Sequence, residues 1–183
     1  MELSSFILGV LASIIATWLF WKYQLQVLPV IVLCNDISVE QLASDEFIYV
    51  LKLINKGKNQ VVDISINAYL TKLVIRGGVN VSRAIEKFNI SNSATLTLAP
   101  PHNEERPWGL TCELTSGFKS ECDIFAALED SDTRIMVTVK ASDALSGSIV
   151  VIQKTYTKHN LKHGEFKAHQ SEVVLSALTR HSS

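Results

Sequence analysis

Residues 3–21 read LSSFILGVLASIIATWLFW, nineteen positions in a row without a charge. As an α-helix this run reaches about 28 Å, close to the roughly 30 Å hydrocarbon thickness of a bilayer. Inside lipid only a helix, or a closed barrel, satisfies every backbone N–H and C=O. The segment therefore predicts a single transmembrane anchor over residues 1–23, with residues 24–183 outside the bilayer. Trp18, Trp21, Lys22 and Tyr23 close the run with the aromatic and snorkelling side chains of a membrane–water boundary. A cleaved secretory signal fits less well. Met1 and Glu2 supply no basic start, and Ala16 is followed by Thr17 and Trp18 rather than by a small-x-small cleavage site. A buried core helix of a soluble fold is the remaining alternative. Lys22 lies just past the run, and the positive-inside bias then places the long C-terminal part in the cytoplasm.

Ser5, Gly9, Ser13 and Thr17 recur every four residues along this helix, with Ala12 and Ala16 beside them. Small side chains on one stripe let two helices approach closely, so the stripe is a candidate surface for self-association. With one glycine, it is a looser pattern than a full GxxxG.

Beyond the anchor the dominant pattern has period two. Val62, Ile64, Ile66, Ala68 and Leu70 are apolar, with Asp63, Ser65 and Asn67 between them, which predicts a half-buried strand. Residues 47–54 (FIYVLKLI) are nearly apolar on both faces and predict a central strand. Residues 55–60 (NKGKNQ) form a turn sequence, so these two strands are expected as antiparallel hairpin neighbours. Further strands are expected at 30–33 behind Pro29, at 95–98, at 135–141 and at 149–156, the last pair joined by a turn with Ser146 and Gly147.

Residues 99–122 lack a clear period, but the alternation of Trp108, Leu110, Cys112 and Leu114 predicts a hidden strand over 108–114. Helical signals beyond the anchor are confined to single turns within 82–88 and 123–129 and a short helix over 172–178. Gly77-Gly78 reads as a turn. Gly147 and Gly164 are expected in turns, with Tyr156 and Phe166 packed nearby. Short strands separated by turn signals predict a mainly β fold: an antiparallel β-sandwich, immunoglobulin-like, with a small barrel as the alternative.

Lys and Arg total 17 against 18 Asp and Glu, a net charge of −1 that lacks the electrostatic footprint of a nucleic-acid binder. No GxSxG elbow, P-loop or dinucleotide fingerprint occurs in the sequence. His159, His163 and His169 invite a metal reading, but zinc sites announce themselves by two ligand pairs and the second is missing. A polar hairpin loop is the expected reading of residues 157–169. Cys34, Cys112 and Cys122 carry no local signature of a nucleophile. Cys112 and Cys122 would pair only in an oxidising compartment, and cytoplasmic thiols stay reduced.

Asp123, Glu129, Asp130 and Asp132 cluster without the alternation and glycine of a calcium loop. Asn80-Val81-Ser82 and Asn89-Ile90-Ser91 match glycosylation acceptors, which matter only outside a eukaryotic cell. The sequence thus predicts no catalytic residue, cofactor or metal. The expectation is a non-enzymatic, membrane-anchored interaction protein that binds a protein partner or copies of itself. The alternative is a membrane effector that oligomerises through its helix and perturbs the bilayer on sensing a signal.

Overall fold

The computed structural model describes residues 2–26, 28–42, 46–91, 96–101, 111–167 and 173–174. Helix α1 spans Glu2–Gln26. The strands follow as β1 (Ile31–Leu33), β2 (Ile37–Gln41), β3 (Phe47–Asn55), β4 (Val61–Arg76), β5 (Val79–Lys87), β6 (Asn89–Ile90), β7 (Leu96–Leu98) and β8 (Glu113–Lys119). The single-turn helix α2 (Ile124–Ala127) precedes β9 (Thr133–Asp143), β10 (Ile149–Tyr156), β11 (Leu161–His163), β12 (Glu165–Phe166) and β13 (Val173–Val174). The protein is mainly β.

Within α1, Ser5–Tyr23 is long and apolar enough to cross a membrane, at a mean hydropathy of 1.7. Its side chains from Ser5 to Tyr23 are exposed, which is the arrangement a lipid-facing helix needs and a soluble core helix avoids.

The strands form two main sheets. The first runs β11-β2-β3-β8-β6, with β1 also on β3; the second runs β10-β9-β4-β5, with β7 also on β4. β1 and β2 divide one edge of β3, since Leu33 faces Leu53 while Ser38 faces Val50. Buried residues of both sheets make one apolar cluster, including Leu51, Leu53, Ile64, Ile66, Leu98, Phe118, Ile135, Val137 and Val139. Each such side chain withdrawn from water contributes roughly 1.5–3 kcal/mol, before the entropy of ordering it is subtracted.

The strand expectations at 47–54, 62–70, 135–141 and 149–156 hold, as does the β9–β10 hairpin. Several others are corrected. The turn at 55–60 does not make a hairpin, because β3 and β4 lie in different sheets. Both edges of β3 are already taken by β1 and β2 on one side and β8 on the other. Buried Asn55 directs the crossing: its Nδ2 donates to Asn59 O at 2.9 Å and Ala99 O at 3.0 Å, while Gly57 N donates to its Oδ1 at 2.8 Å.

In β4 the buried face begins at Val61 rather than Val62. Asp63 adopts a positive φ of 52°, and the ladder to β9 shifts between Val62 and Ser65, so a bulge flips the alternation. Residues 82–87 are strand, not a helical turn; they pair with β4 and largely expose both faces, which removes the alternation that marks a strand, while Phe88 just past the strand is buried. The hidden strand starts at Glu113 and runs on to Lys119, beyond the expected end at Leu114. Of the 108–114 expectation, 108–110 lie outside the described residues. Val173–Val174 pairs with β12 rather than opening a helix, and the rest of 172–178 lies outside the described residues. Finally, β11 runs parallel to β2, so the first sheet is not wholly antiparallel.

Candidate interaction surface

Lys72 faces Thr133 at the last rung that β4 shares with β9; beyond it, β4 pairs with β5 alone. The free ribbon reaches about 13 Å from Lys72 to Arg76 at the rise of an extended strand. It closes through Gly77 and Gly78, at φ of 57° and 80°, the two left-handed positions a tight hairpin requires. A side chain at either would be strained although nothing crowds it.

The pairing sorts the ribbon into two faces. Lys72 faces Arg83, Val74 faces Val81 and Arg76 faces Val79, so one face interleaves three cations with three valines. The other face carries Leu73 with Ser82 and Ile75 with Asn80, and has no charge. Ile75 is 76% exposed and Val79 63%. Residues 72–85 contain no Asp or Glu. Lys72 pairs with Asp130 at 2.6 Å, and the hydrogen bond raises the lysine's pKa while lowering the carboxyl's. Arg76 and Arg83 form no ion pair among the described residues. A hollow of about 560 Å³ runs along this ribbon, lined by Val74, Arg76, Val81 and Arg83 with Ile75 and Ser82. The outer edge of β5 is unpaired in its sheet. Such an edge can accept an added strand. This surface was missed in the sequence, although the acid-free run of 72–85 was its readable signal.

A second polar region lies on the first sheet. Lys52 in β3 is 2% exposed and pairs with Glu113 at 2.9 Å, while its Nζ also donates to Lys167 O at 2.7 Å. Glu40 and Glu165 line a groove of about 460 Å³ with Val50, Thr115, Gly117 and Phe166. Burial, and then the charge of Glu165, raise the Glu40 pKa, opposed by a hydrogen bond from Ser38. Among the described residues no three His, Cys, Asp or Glu side chains converge as a metal site.

The sequence candidates fall as follows. Ser5, Gly9, Ser13 and Thr17 lie exposed along α1; nothing stands within 4 Å of the Gly9 Cβ position, and Thr17 Oγ1 donates to Ser13 O at 2.8 Å. Trp18, Trp21 and Tyr23 are exposed, and Lys22 Nζ sits 4.6 Å from the Trp18 ring centroid. His159 falls in a 3-10 turn and His163 in β11, so no helix aligns them. His163 stacks on Phe125 at 5.5 Å, a packing contact; His169 lies outside the described residues.

All three cysteines are free. The seven extended residues of β8 separate Cys112 from Cys122, far beyond disulfide reach. Burial pushes the Cys34 thiol up despite Lys52 and Lys154. The Cys122 thiol is raised by burial and by its hydrogen bond to Glu86, so both are poor nucleophiles near neutrality. The acidic cluster has structural partners: Asp123 caps α2 by accepting from Phe125 N and Ala126 N, Glu129 pairs with Lys158 and Asp130 with Lys72.

No family model matches the chain, and no curated protein matches it. A solved structure that resembles it is the crystal structure of Spo0M, a sporulation control protein from Bacillus subtilis, with a TM-score of 0.35 and 10% identity over 70% of this chain. The chain spans about half of that protein, 47% of its length, and a likeness this slight bears on neither fold detail nor function.

Proposed function

We propose that this chain is a non-enzymatic, single-pass membrane protein whose β domain, an immunoglobulin-like sandwich in our reading, binds another protein. The observation that carries the reading is the projecting β4–β5 hairpin, with exposed Leu73, Ile75, Val79 and Val81 beside Arg76 and Arg83 and an unpaired β5 edge. An exposed apolar patch rimmed by charge is the composition of a docking surface. The partner is acidic. A second copy would set Arg76 and Arg83 against like charges.

Orientation along the strands supports the same reading. β4 runs sixteen residues from Val61 to Arg76, about 50 Å when extended, and Val61 lies at the end where β1 enters. The hairpin tip thus stands far from the anchor and free to reach a partner. Lys22 supports a cytoplasmic domain. A cysteine introduced at exposed Ile75 in a Cys122→Ser background tests that placement: an impermeant maleimide should label it only after the membrane is permeabilised, and labelling of intact cells reverses the topology.

The binding reading is tested by a photo-crosslinker at position 75 of the full chain in its native membrane. A discrete heterologous adduct, lost in Arg76→Glu/Arg83→Glu at unchanged protein level, is the expected result. Adducts absent, or insensitive to the charge reversal, overturn it.

A second reading, an effector that assembles through α1, is favoured by the open Gly9 position and by the Thr17 hydroxyl turned back onto Ser13 O, which leaves a smooth stripe. Gly9→Leu should abolish a membrane crosslinked oligomer; an unchanged oligomer ends this reading.

A further inference from the structure

Three loops meet where the anchor enters the β domain. Gln26 ends α1 and Ile31 opens β1, so these residues lie no more than about 18 Å apart along the extended chain. Ile31 faces Asn55, and Val61 faces Asp143, which brings the 55–60 and 144–148 connections to this same end. Hydrogen bonds tie the three together: Lys56 N donates to Val30 O at 2.8 Å and Ala144 N to Gln60 O at 2.9 Å.

This end is unusually apolar for a surface. Leu28, Val30 and Ile149 are exposed, and Leu145, at the apex of the β9–β10 turn, is 73% exposed. The apex is held rigidly: Asp143 Oδ1 accepts from Leu145 N at 3.0 Å and Ser146 N at 2.7 Å. With its backbone fixed, the Leu145 side chain is presented outward, largely clear of the described residues. Lys56 and Lys58 are exposed alongside and form no ion pair among the described residues. Asp143 is buried beneath the turn, and Asp63, two residues into β4, is the exposed carboxylate nearest in sequence.

We propose that this end of the domain seats on the bilayer that α1 crosses, with Leu145 in the headgroup–acyl boundary and Lys56 and Lys58 on anionic headgroups. The proposal rests on α1 spanning the membrane. Chain continuity selects the occupant, because the short link to α1 holds this rim at the lipid surface at high effective concentration. The chemistry agrees: apolar side chains flanked by lysines without carboxylate partners are an interfacial composition. Docking fixes the domain upright and points the β4–β5 hairpin away from the lipid.

The test uses the full chain with Cys122→Ser, labelled with a fluorophore at Leu145→Cys or, as the distal control, Ile75→Cys. Vesicles of phosphatidylcholine with phosphatidylglycerol carry a bilayer-depth quencher, and alkaline carbonate extraction is run on the same samples. The expected result is a carbonate-resistant chain, quenched at 145 and unquenched at 75. Lys56→Glu/Lys58→Glu, or pure phosphatidylcholine, should shift the docking equilibrium at least about thirty-fold toward release, the summed effect of two headgroup contacts. A carbonate-resistant chain with an unquenched 145 overturns the docking and leaves the anchor standing. Extraction by carbonate overturns the anchor and the docking together.

Discussion

The Lys52–Glu113 pair sets the largest single-residue stakes in the β domain. With Lys52 2% exposed, removing its carboxylate leaves the charge in a nearly dry site without its counter-ion, held by neutral acceptors such as Lys167 O. Glu113→Ala is expected to cost about 3–5 kcal/mol in chemical denaturation, whereas Lys52→Met with Glu113→Leu should recover most of that loss. Asp143 makes the stability depend on acid. Burial pushes its pKa up, but hydrogen bonds from the Ser146 N–H, the Asn59 and Ser146 side chains and the Leu145 N–H together outweigh this and the net shift is downward. A lowered carboxyl stabilises the fold fully above its unfolded value near 3.9 and loses that contribution as pH falls through the folded value. Asp143→Asn should therefore flatten the stability profile below about pH 4, and an unchanged acid limb would remove Asp143 from the account. Glu40 has the opposite sign. Its raised pKa favours the fold below the unfolded value and gives that up as pH rises through the folded one.

At the scale of elements, β8 shows where local signals mislead. Thr115-Ser116-Gly117 has turn composition, yet Ser116 is buried and a Cβ on Gly117 would lie 3.2 Å from Ile48 Cγ2 on the neighbouring strand. The glycine is there for close packing, so Gly117→Val is expected to cost about 1–3 kcal/mol by denaturation; a neutral outcome would return the segment to a loop role. A strand with a clean apolar period, such as β9, was legible because burial on one face dictates its alternation, and β10 was legible from the turn that precedes it. β5 was not, since both its faces are largely wet and its ladder to β4, not a buried face, holds most of it. Nor was the crossing from β3 to β4, because the turn residues of 55–60 serve a hairpin and a sheet-to-sheet connection alike. The long apolar N-terminal helix was readable; the hairpin surface was not, being defined by a register that no local pattern encodes. Its chemistry yields a prediction of its own: Ile75→Ser with Val79→Ser should leave the unfolding free energy within about 0.5 kcal/mol of the parent, since both side chains are exposed, while abolishing the heterologous adduct from a photo-crosslinker placed at Ser82.

For the whole molecule, the antiparallel ladders give the β domain two unlike ends. The end where β1 enters carries the loops around Lys56 and Leu145, and the far end carries the acid-free ribbon. Lengthening the 27–30 link with a flexible spacer is expected to leave thermal unfolding unchanged and to loosen the domain's tilt in vesicles, measured as broadened fluorescence anisotropy decay. A spacer variant with the parent's anisotropy would show that the link does not set orientation.

The parallel pairing of β11 with β2 bears on how the chain is made. Ser38 Oγ donates to Gly164 O, a contact between residues 126 positions apart. A ribosome must therefore release the chain through His163 before β2 acquires its outer neighbour. During that interval its unsatisfied edge is open to capture by a chaperone or by the same strand of a sister chain emerging nearby, so arrested nascent chains ending before Leu161 should stay sensitive to protease around β2.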